Sequence, residues 1–196
     1  MDELSCIRQW YRYNAAIRLK YLSSIAGLPR RDWFRDDGAS YPLLEIFLHV
    51  LDAYRWWFRY VYRDDVRSYL RGRLRTRIRT IDGARNAARR TTREVTRFVA
   101  RLTSKDLDRV VVYTSPQDDA WSVWARERTT VRAMLWHMVE EELQHRGEMN
   151  ALLWRHDVEP PVIGWDDWFG AKKILAPAPE GPTSGTGRGR ERTVRE

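Results

Sequence analysis

The sequence has 196 residues and a net charge of +8, a length that suits one domain with its own core and is too short for two large ones. It has no apolar run of about 18 residues and begins with Met1-Asp2-Glu3, so we expect neither a membrane span nor a signal peptide. The single cysteine, Cys6, excludes an internal disulfide and a cysteine-based zinc cluster, which favours a cytoplasmic protein whose metal ligands are nitrogen and oxygen.

Four segments have the apolar spacing that is typical of amphipathic helices. They cover residues 4–28, 42–61, about 82–102 and 131 to about 155. Gly27 and Pro29 end the first helix, Pro42 stands in the first turn of the second, and Thr129 or Thr130 caps the fourth. The pattern predicts an all-α four-helix bundle.

The connections between these helices differ in character. Residues 63–79 are dense in arginine and contain Gly72, which predicts a partly helical connection. Residues 110–113 and 121–124 have strand composition, with a turn at 115–119 between them, so a short β-hairpin or an ordered loop is expected before the fourth helix. From Ala176 onward large apolar residues are nearly absent. We therefore predict a domain over residues 1–170 and a disordered basic tail over 171–196.

The arginine-rich segments make nucleic acid a partner to consider. They are residues 63–79 and the tail around Arg188, Arg190 and Arg192. Neither segment has the interleaved aromatic residues of a platform that binds single strands. A solvated basic surface is therefore favoured over a nucleic-acid site.

The fourth helix carries the chemically informative pattern. His137, Glu141 and His145 follow one another at four-residue spacing and so share one stripe of the helix. A carboxylate and an imidazole on a core-facing stripe are costly to bury unless something compensates them, and a divalent cation would do so. Glu141 and His145 are one turn apart, and this spacing lets both bind the same ion.

A third ligand has to come from another helix. His49 lies in the middle of an apolar run, FLHVLDAYRWW, where a histidine has no evident packing purpose. On spacing alone, a Glu-x-x-x-His pair arises often by chance, and a satisfied core histidine is commoner than a ligand. The residues by themselves therefore leave both the metal site and the packed-histidine interpretation open.

The order and wording of the segments resemble the DinB/YfiT-like superfamily over residues 4–169. The likeness is carried by RQWYRYNAAIRLKYLSSIAGLP, LLEIFLHVLDAYRWW, TTVRAMLWHMVEEELQHRGEM and NALLWRHDVEPP, and most specifically by the His-Arg-Gly step that starts at His145. The resemblance implies a divalent metal held by His49, position 141 and His145. The sequence departs from the usual pattern by having Glu141 in place of a histidine. Mycothiol-dependent maleylpyruvate isomerases are similar, with a glutamate at the equivalent place.

The same resemblance implies a metal-dependent enzyme that acts on a small molecule. It would be a thiol-dependent transferase or isomerase, or a hydrolase, with a low-molecular-weight thiol as co-substrate and a homodimeric state. Zinc or nickel is favoured, and iron or manganese also suits two imidazoles and one carboxylate. The alternative is a non-enzymatic stress or DNA-damage-response protein with a structural metal and a basic surface for nucleic acid. A cleft beside an incompletely coordinated ion would favour the enzyme.

Three residues near the ligands have open roles. His137 is interpreted as a fourth ligand, a hydrogen-bond donor behind the ligands or a packed histidine. Glu142 is expected to be solvated or paired with an arginine, with a role as general base left open. Arg146 either orients an anionic substrate or, as we favour, braces the bundle. Pocket-wall or core roles are expected for a further four residues: Tyr13, Asn14, Tyr54 and Trp57.

Overall fold

Each of the four periodic segments forms a helix in the computed structural model of the chain, which describes residues 2–69, 73–118, 120–161, 164 and 168. The bundle helices are α1 (Glu3–Gly27), α2 (Leu43–Arg55), α3 (Ile81–Arg101) and α4 (Val131–Arg155). The prediction of an all-α four-helix bundle is therefore confirmed. None of the helices in the described part of the chain is long and apolar enough to cross a membrane.

The chain divides into two units, Met1–Val162 and Ile163–Glu196. The first unit contains all four bundle helices. In the second, the structure describes Gly164 and Trp168. The predicted tail over residues 171–196 lies outside the described residues, and the division at residue 170 stays a prediction.

Side-chain caps begin three of the helices where the sequence predicts a start. The Asp2 carboxylate accepts the backbone N–H of Ser5 in α1, at 3.0 Å. Of the two threonines considered for α4, Thr130 is the cap, and its hydroxyl accepts the N–H of Ala133 at 3.1 Å. Such caps satisfy backbone donors that the first helical turn leaves unpaired, and each stabilises the helix by about 1 kcal/mol.

The helices pack so that α1 and α2 each contact both α3 and α4. The core between them consists of fully buried side chains, among them Ile7, Phe47, Leu51, Leu135 and Met138. Each of these side chains contributes roughly 1.5–3 kcal/mol by leaving water. The packing of α2 against α4 places the one helix that carries His49 beside the one that carries Glu141 and His145.

Helix α2 ends earlier than predicted. Its regular part stops at Arg55, and a π-helical turn, Trp56–Tyr60, and a short 3-10 turn, Val61–Arg63, continue the chain. Within the π turn the N–H of Val61 bonds to the carbonyl of Trp56. Apolar spacing does not distinguish this widened turn from a regular helix, because Phe58, Tyr60 and Val61 remain buried.

The β-hairpin between α3 and α4 is present. Strand β1 (Val110–Pro116) pairs antiparallel with β2 (Trp124–Thr130). The prediction that the chain returns as a strand at residues 121–124 is wrong, because β2 only begins at Trp124. The residues just before β2 form a turn instead. The Asp118 carboxylate holds this turn by accepting the N–H groups of Ser122 and Val123, at 2.8 and 2.9 Å.

The arginine-rich connection is partly helical, as predicted, with one helical turn at Leu74–Arg77. Asp52 of α2 is 2% exposed and holds this turn in place. Its carboxylate accepts the backbone N–H of Leu74 at 2.8 Å and that of Arg75 at 3.1 Å. The connection therefore lies against α2, one helical turn after His49.

Candidate metal centre

Helices α2 and α4 bring His49, Glu141 and His145 together. Glu141 Oε1 lies 3.1 Å from His49 Nε2 and 3.2 Å from His145 Nε2. One donor atom from each of the three residues lies within 4.8 Å of the other two. The described residues contain no second group of His, Cys, Asp or Glu side chains that meets this condition. The three residues singled out in the sequence thus converge from two helices.

The spacing of these donors fits a shared divalent ion. Two atoms bonded to one ion at about 2.1 Å, with angles near 90–109°, are about 3.0–3.4 Å apart. The two distances from Glu141 Oε1 fall within that interval. Two imidazole nitrogens and one carboxylate oxygen form a set that binds zinc, nickel, iron or manganese and leaves coordination positions for other molecules.

The electrostatics of the group favour positive charge. The pKa of Glu141 is well below its usual range, because hydrogen bonds from His145 and His49 stabilise the carboxylate and outweigh burial. Burial lowers the pKa of His145, yet its hydrogen bonds to Glu141 and Glu148 raise it on balance. The cluster therefore binds a proton at His145 more readily than a free imidazole does, and a bound cation would compete with that proton.

Glu148 is a residue that the sequence analysis missed. Its Oε2 lies 3.0 Å from His145 Nδ1 and accepts the Ser40 hydroxyl at 2.7 Å. A carboxylate behind a histidine fixes the ring and leaves the other nitrogen available as a ligand. Glu148 follows His145 by three residues, and this spacing on a helix could have indicated the contact.

A cleft of about 390 Å³ opens on one side of the donor group. His49 and Glu141 line it, whereas the His145 side chain is 7% exposed and lies behind them. His137 lines the same cleft, with its ring 5.1 Å from that of Trp57. The site is therefore accessible from the cleft and closed toward the bundle.

His137 lies beside the donor group without joining it. Its Nε2 is 3.9 Å from Glu141 Oε2, beyond hydrogen-bond distance, and its side chain is 43% exposed. The exposure of the side chain and its ring contact with Trp57 place His137 at the edge of the cleft, and its role stays a prediction. A fourth protein ligand at this position would close the site, and the exposed ring leaves it open.

Glu142 and Arg146 face other parts of the bundle. The Glu142 carboxylate accepts Arg18 Nε at 2.7 Å, and both side chains are almost fully buried. Arg146 Nη2 donates to Asn14 Oδ1 at 2.7 Å, and its guanidinium lies 5.1 Å from the ring of Tyr13. Neither residue reaches the donor group, so their contacts brace α1 against α4.

Of the four aromatic and polar residues considered for the pocket wall, one lines the cleft and three lie in the core. Trp57 lines the cleft. Tyr13, Asn14 and Tyr54 are buried within the bundle instead. The cleft also has lining residues that the sequence analysis did not single out, chiefly Tyr41, Asp52, Arg73, Arg75 and Trp121.

A second and larger depression, of about 690 Å³, lies at the end of α2 beside α3. It is lined by six arginines and two carboxylates: Arg55, Arg59, Arg63, Arg97, Arg101, Arg109, Glu94 and Asp106. None of the three donor residues lines this depression. The larger of the two depressions is therefore not the one that contains the candidate metal ligands.

Comparison with known families identifies the chain. The sequence model of the mycothiol-S-transferase family matches residues 15–157, which include His49, Glu141 and His145. The chain belongs to this family. As a mycothiol-S-transferase family protein it is part of the DinB-like group, so the resemblance found in the sequence is confirmed. No curated protein matches it significantly.

The fold of this mycothiol-S-transferase family protein is also found in a solved structure. The crystal structure of a DinB-like protein, YjoA of Bacillus subtilis, superposes with a TM-score of 0.54 at 16% sequence identity. The match covers 79% of this chain and 96% of the other. At this identity the likeness establishes the DinB-like fold alone.

Proposed function

We propose that this protein is a divalent-metal-dependent S-transferase that joins a low-molecular-weight thiol to a small electrophilic molecule. The observation that carries the proposal is the donor group of His49, Glu141 and His145, which is open on one side to a cleft. The membership of the chain in a family named for thiol transfer supports this reaction class.

The residues of the chain have separate tasks in this proposal. His145, oriented by Glu148, would hold the ion from the buried side. His49 and Glu141 would hold it where the cleft begins. When bound in such a set, a divalent ion acts as a Lewis acid that lowers the pKa of a thiol or water at its open position.

Thiol transfer requires one proton to leave and one bond to form. The S–H proton goes to a base, and the sulfur lone pair forms the bond to an electrophilic carbon. In a substitution the leaving group departs with its electron pair, whereas in an addition to a carbon–carbon double bond the π electrons form a C–H bond with the proton that the base returns. His137 Nε2 is the base that we assign, because this imidazole lies in the cleft outside the donor group. The contact with Trp57 holds its ring at the edge of the cleft.

An assay of metal-loaded protein tests the proposal. Protein stripped with a chelator and reloaded with zinc, nickel, manganese or iron is mixed with monochlorobimane and one thiol at a time: mycothiol, glutathione, coenzyme A or cysteine. We expect fluorescent adduct to form faster than the uncatalysed reaction, only with metal, and not in His145→Ala. His156→Ala is the matched control, because His156 contacts Asp37 and none of the donors.

Two results would contradict the proposal. One is full metal occupancy with no acceleration for any of these thiols, a result that would favour metal-assisted hydrolysis or a structural ion. The other is acceleration that survives complete removal of metal. The comparisons lend no support to the alternative of a nucleic-acid-binding stress protein. The homodimeric state and the cytoplasmic location stay predictions, the first of which light scattering can test.

A further inference from the structure

Two arginines form part of the wall of the cleft. Arg73 and Arg75 both line it, together with His49 and Glu141. Arg75 belongs to the helical turn Leu74–Arg77 and Arg73 directly precedes it, and Asp52 holds this turn against α2 through the backbone N–H groups of Leu74 and Arg75. The backbone from which the two side chains project is therefore held in place.

The two guanidinium groups are stacked on aromatic rings. The Arg75 guanidinium lies 3.9 Å from the ring centroid of Tyr41, and that of Arg73 lies 4.8 Å from the ring centroid of Trp121. Stacking occupies the flat face of a guanidinium and leaves the N–H groups at its edge to donate hydrogen bonds. The edges are the part that binds a carboxylate through two parallel hydrogen bonds.

Arg73 and Arg75 are short of acceptors. Arg73 Nε and Arg75 Nη1 are buried and have no hydrogen-bond partner. Within residues 2–69, 73–118 and 120–161, no carboxylate forms an ion pair with either group. A buried donor without an acceptor costs about 1–3 kcal/mol, and more when it is charged. An anionic ligand in the cleft would compensate the charge of the two groups through their other N–H groups, since both residues line the cleft.

Asp52 is one of the two carboxylates that line the cleft, and its oxygens are already occupied. Oδ1 accepts Arg55 Nη1 at 3.0 Å and also the N–H of Leu74, while Oδ2 accepts the N–H groups of Leu74 and Arg75. The remaining carboxylate of the cleft, Glu141, belongs to the donor group. The cleft therefore has more guanidinium charge than its own carboxylates neutralise.

We propose that Arg73 and Arg75 bind the carboxylate of a planar, unsaturated or aromatic acid, which is the electrophilic substrate. This inference rests on the proposed function, because it names the second substrate of the thiol transfer. The planar fork of arginine selects a carboxylate, and the rings of Trp57, Tyr69 and Trp121 give flat apolar walls for the rest of the molecule. In this proposal Arg73 and Arg75, and not Arg146, orient the anionic substrate.

Benzoate is a probe for this inference, with benzamide as its neutral isostere. Binding is measured by tryptophan fluorescence on chelator-treated protein, so that benzoate cannot bind through a metal. We expect benzoate to bind at least about tenfold more tightly than benzamide, and Arg73→Gln or Arg75→Gln to weaken benzoate about tenfold each. Arg77→Gln, which removes the same charge from an exposed position of the same turn, should leave binding unchanged.

The variants Arg73→Lys and Arg75→Lys distinguish the effect of the two parallel guanidinium donors from the effect of the positive charge. Each should keep the fold and part of the affinity, because lysine retains the charge without the two parallel donors. Equal binding of benzoate and benzamide, or an equal loss in Arg77→Gln, would overturn the inference. In that case metal-dependent transfer to the neutral electrophile monochlorobimane would still support the proposed function. Arginine-dependent benzoate binding without any thiol transfer would overturn the proposed function and leave the carboxylate site standing.

Discussion

Two consecutive carboxylates on α4, Glu141 and Glu142, have different kinds of partner. Glu142 is 4% exposed and pairs with Arg18, so the protein itself supplies the compensating cation. Glu141, whose side chain is 15% exposed, meets two imidazoles instead. A buried carboxylate needs a positive partner. The comparison therefore distinguishes a permanent internal ion pair from the place where we propose that an exchangeable cation binds.

The two residues have such different partners because consecutive helical positions are about 100° apart. Glu141 turns toward His49 on α2. Glu142 turns toward Arg18 on α1. Burial lowers the pKa of Arg18, but the charges of Glu142 and Tyr54, together with hydrogen bonds to both, raise it on balance. The guanidinium therefore stays charged, and we expect the pair to be insensitive to metal.

The largest effect that we expect follows from removing a donor. Glu141→Gln or His145→Ala should lower the affinity for zinc on the order of 1000-fold, because a two-ligand site forfeits a large part of the binding energy. Glu140→Gln, on the exposed side of the same helix, is the control and should change nothing. Elemental analysis and competition with a chelating dye measure the loss. Full occupancy in both variants would refute the ligand assignment.

Breaking the internal pair should instead affect folding. Glu142→Ala leaves the Arg18 guanidinium buried and unpaired, so the free energy of unfolding of the metal-free protein should fall by about 3–5 kcal/mol. Replacing both partners, Arg18→Met with Glu142→Leu, should recover most of it. Urea unfolding gives the free energies, and zinc stoichiometry should stay at the wild-type value. A loss of zinc with intact stability would reverse the distinction drawn between the two glutamates.

A smaller effect is expected from the carboxylate behind the site. Glu148→Gln weakens the hydrogen bond that orients His145, so zinc affinity should fall about 10–100-fold while the stoichiometry at saturation is kept. Glu159→Gln is an exposed control just beyond α4. Isothermal titration distinguishes the two variants. An unchanged affinity in Glu148→Gln would show that the His145 ring is held by packing alone.

The pH dependence should be the mildest signature, and it has opposite signs with and without metal. The raised pKa of His145 stabilises the metal-free fold below the ordinary imidazole value of about 6.5, and this stability is lost as pH rises through the folded value. Zinc must displace that proton, so its affinity should rise by up to about tenfold per pH unit over the same range. Melting temperature and zinc titration at pH 6, 7 and 8 test both trends.

A control keeps this pH test specific. His156→Ala should preserve both trends, because His156 lies away from the donors and pairs with Asp37. A zinc affinity that does not vary with pH would mean that no proton leaves the site when the ion enters.

Local sequence pattern predicted the helices and singled out three candidate donors, because helical spacing places Glu141 and His145 together and His49 stands in an apolar run. The resemblance then joined the three in one site. It did not predict the partner of Glu142, since Arg18 is 124 residues away along the chain. The position of Arg73 and Arg75 beside the cleft could not be predicted from the sequence either. It depends on Asp52 accepting backbone groups 22 and 23 residues later, and such tertiary contacts have no periodic signal in the sequence.

The tie between Asp52 and the arginine-rich turn has an evolutionary consequence. The three donor atoms project from two packed helices, whereas the arginines that we assign to the substrate carboxylate belong to a connection anchored through its backbone. Side chains at positions 73 and 75 can therefore be exchanged without disturbing that anchor or the donor group. A bundle built this way can acquire new substrates by varying one connection while its reactive centre is inherited unchanged.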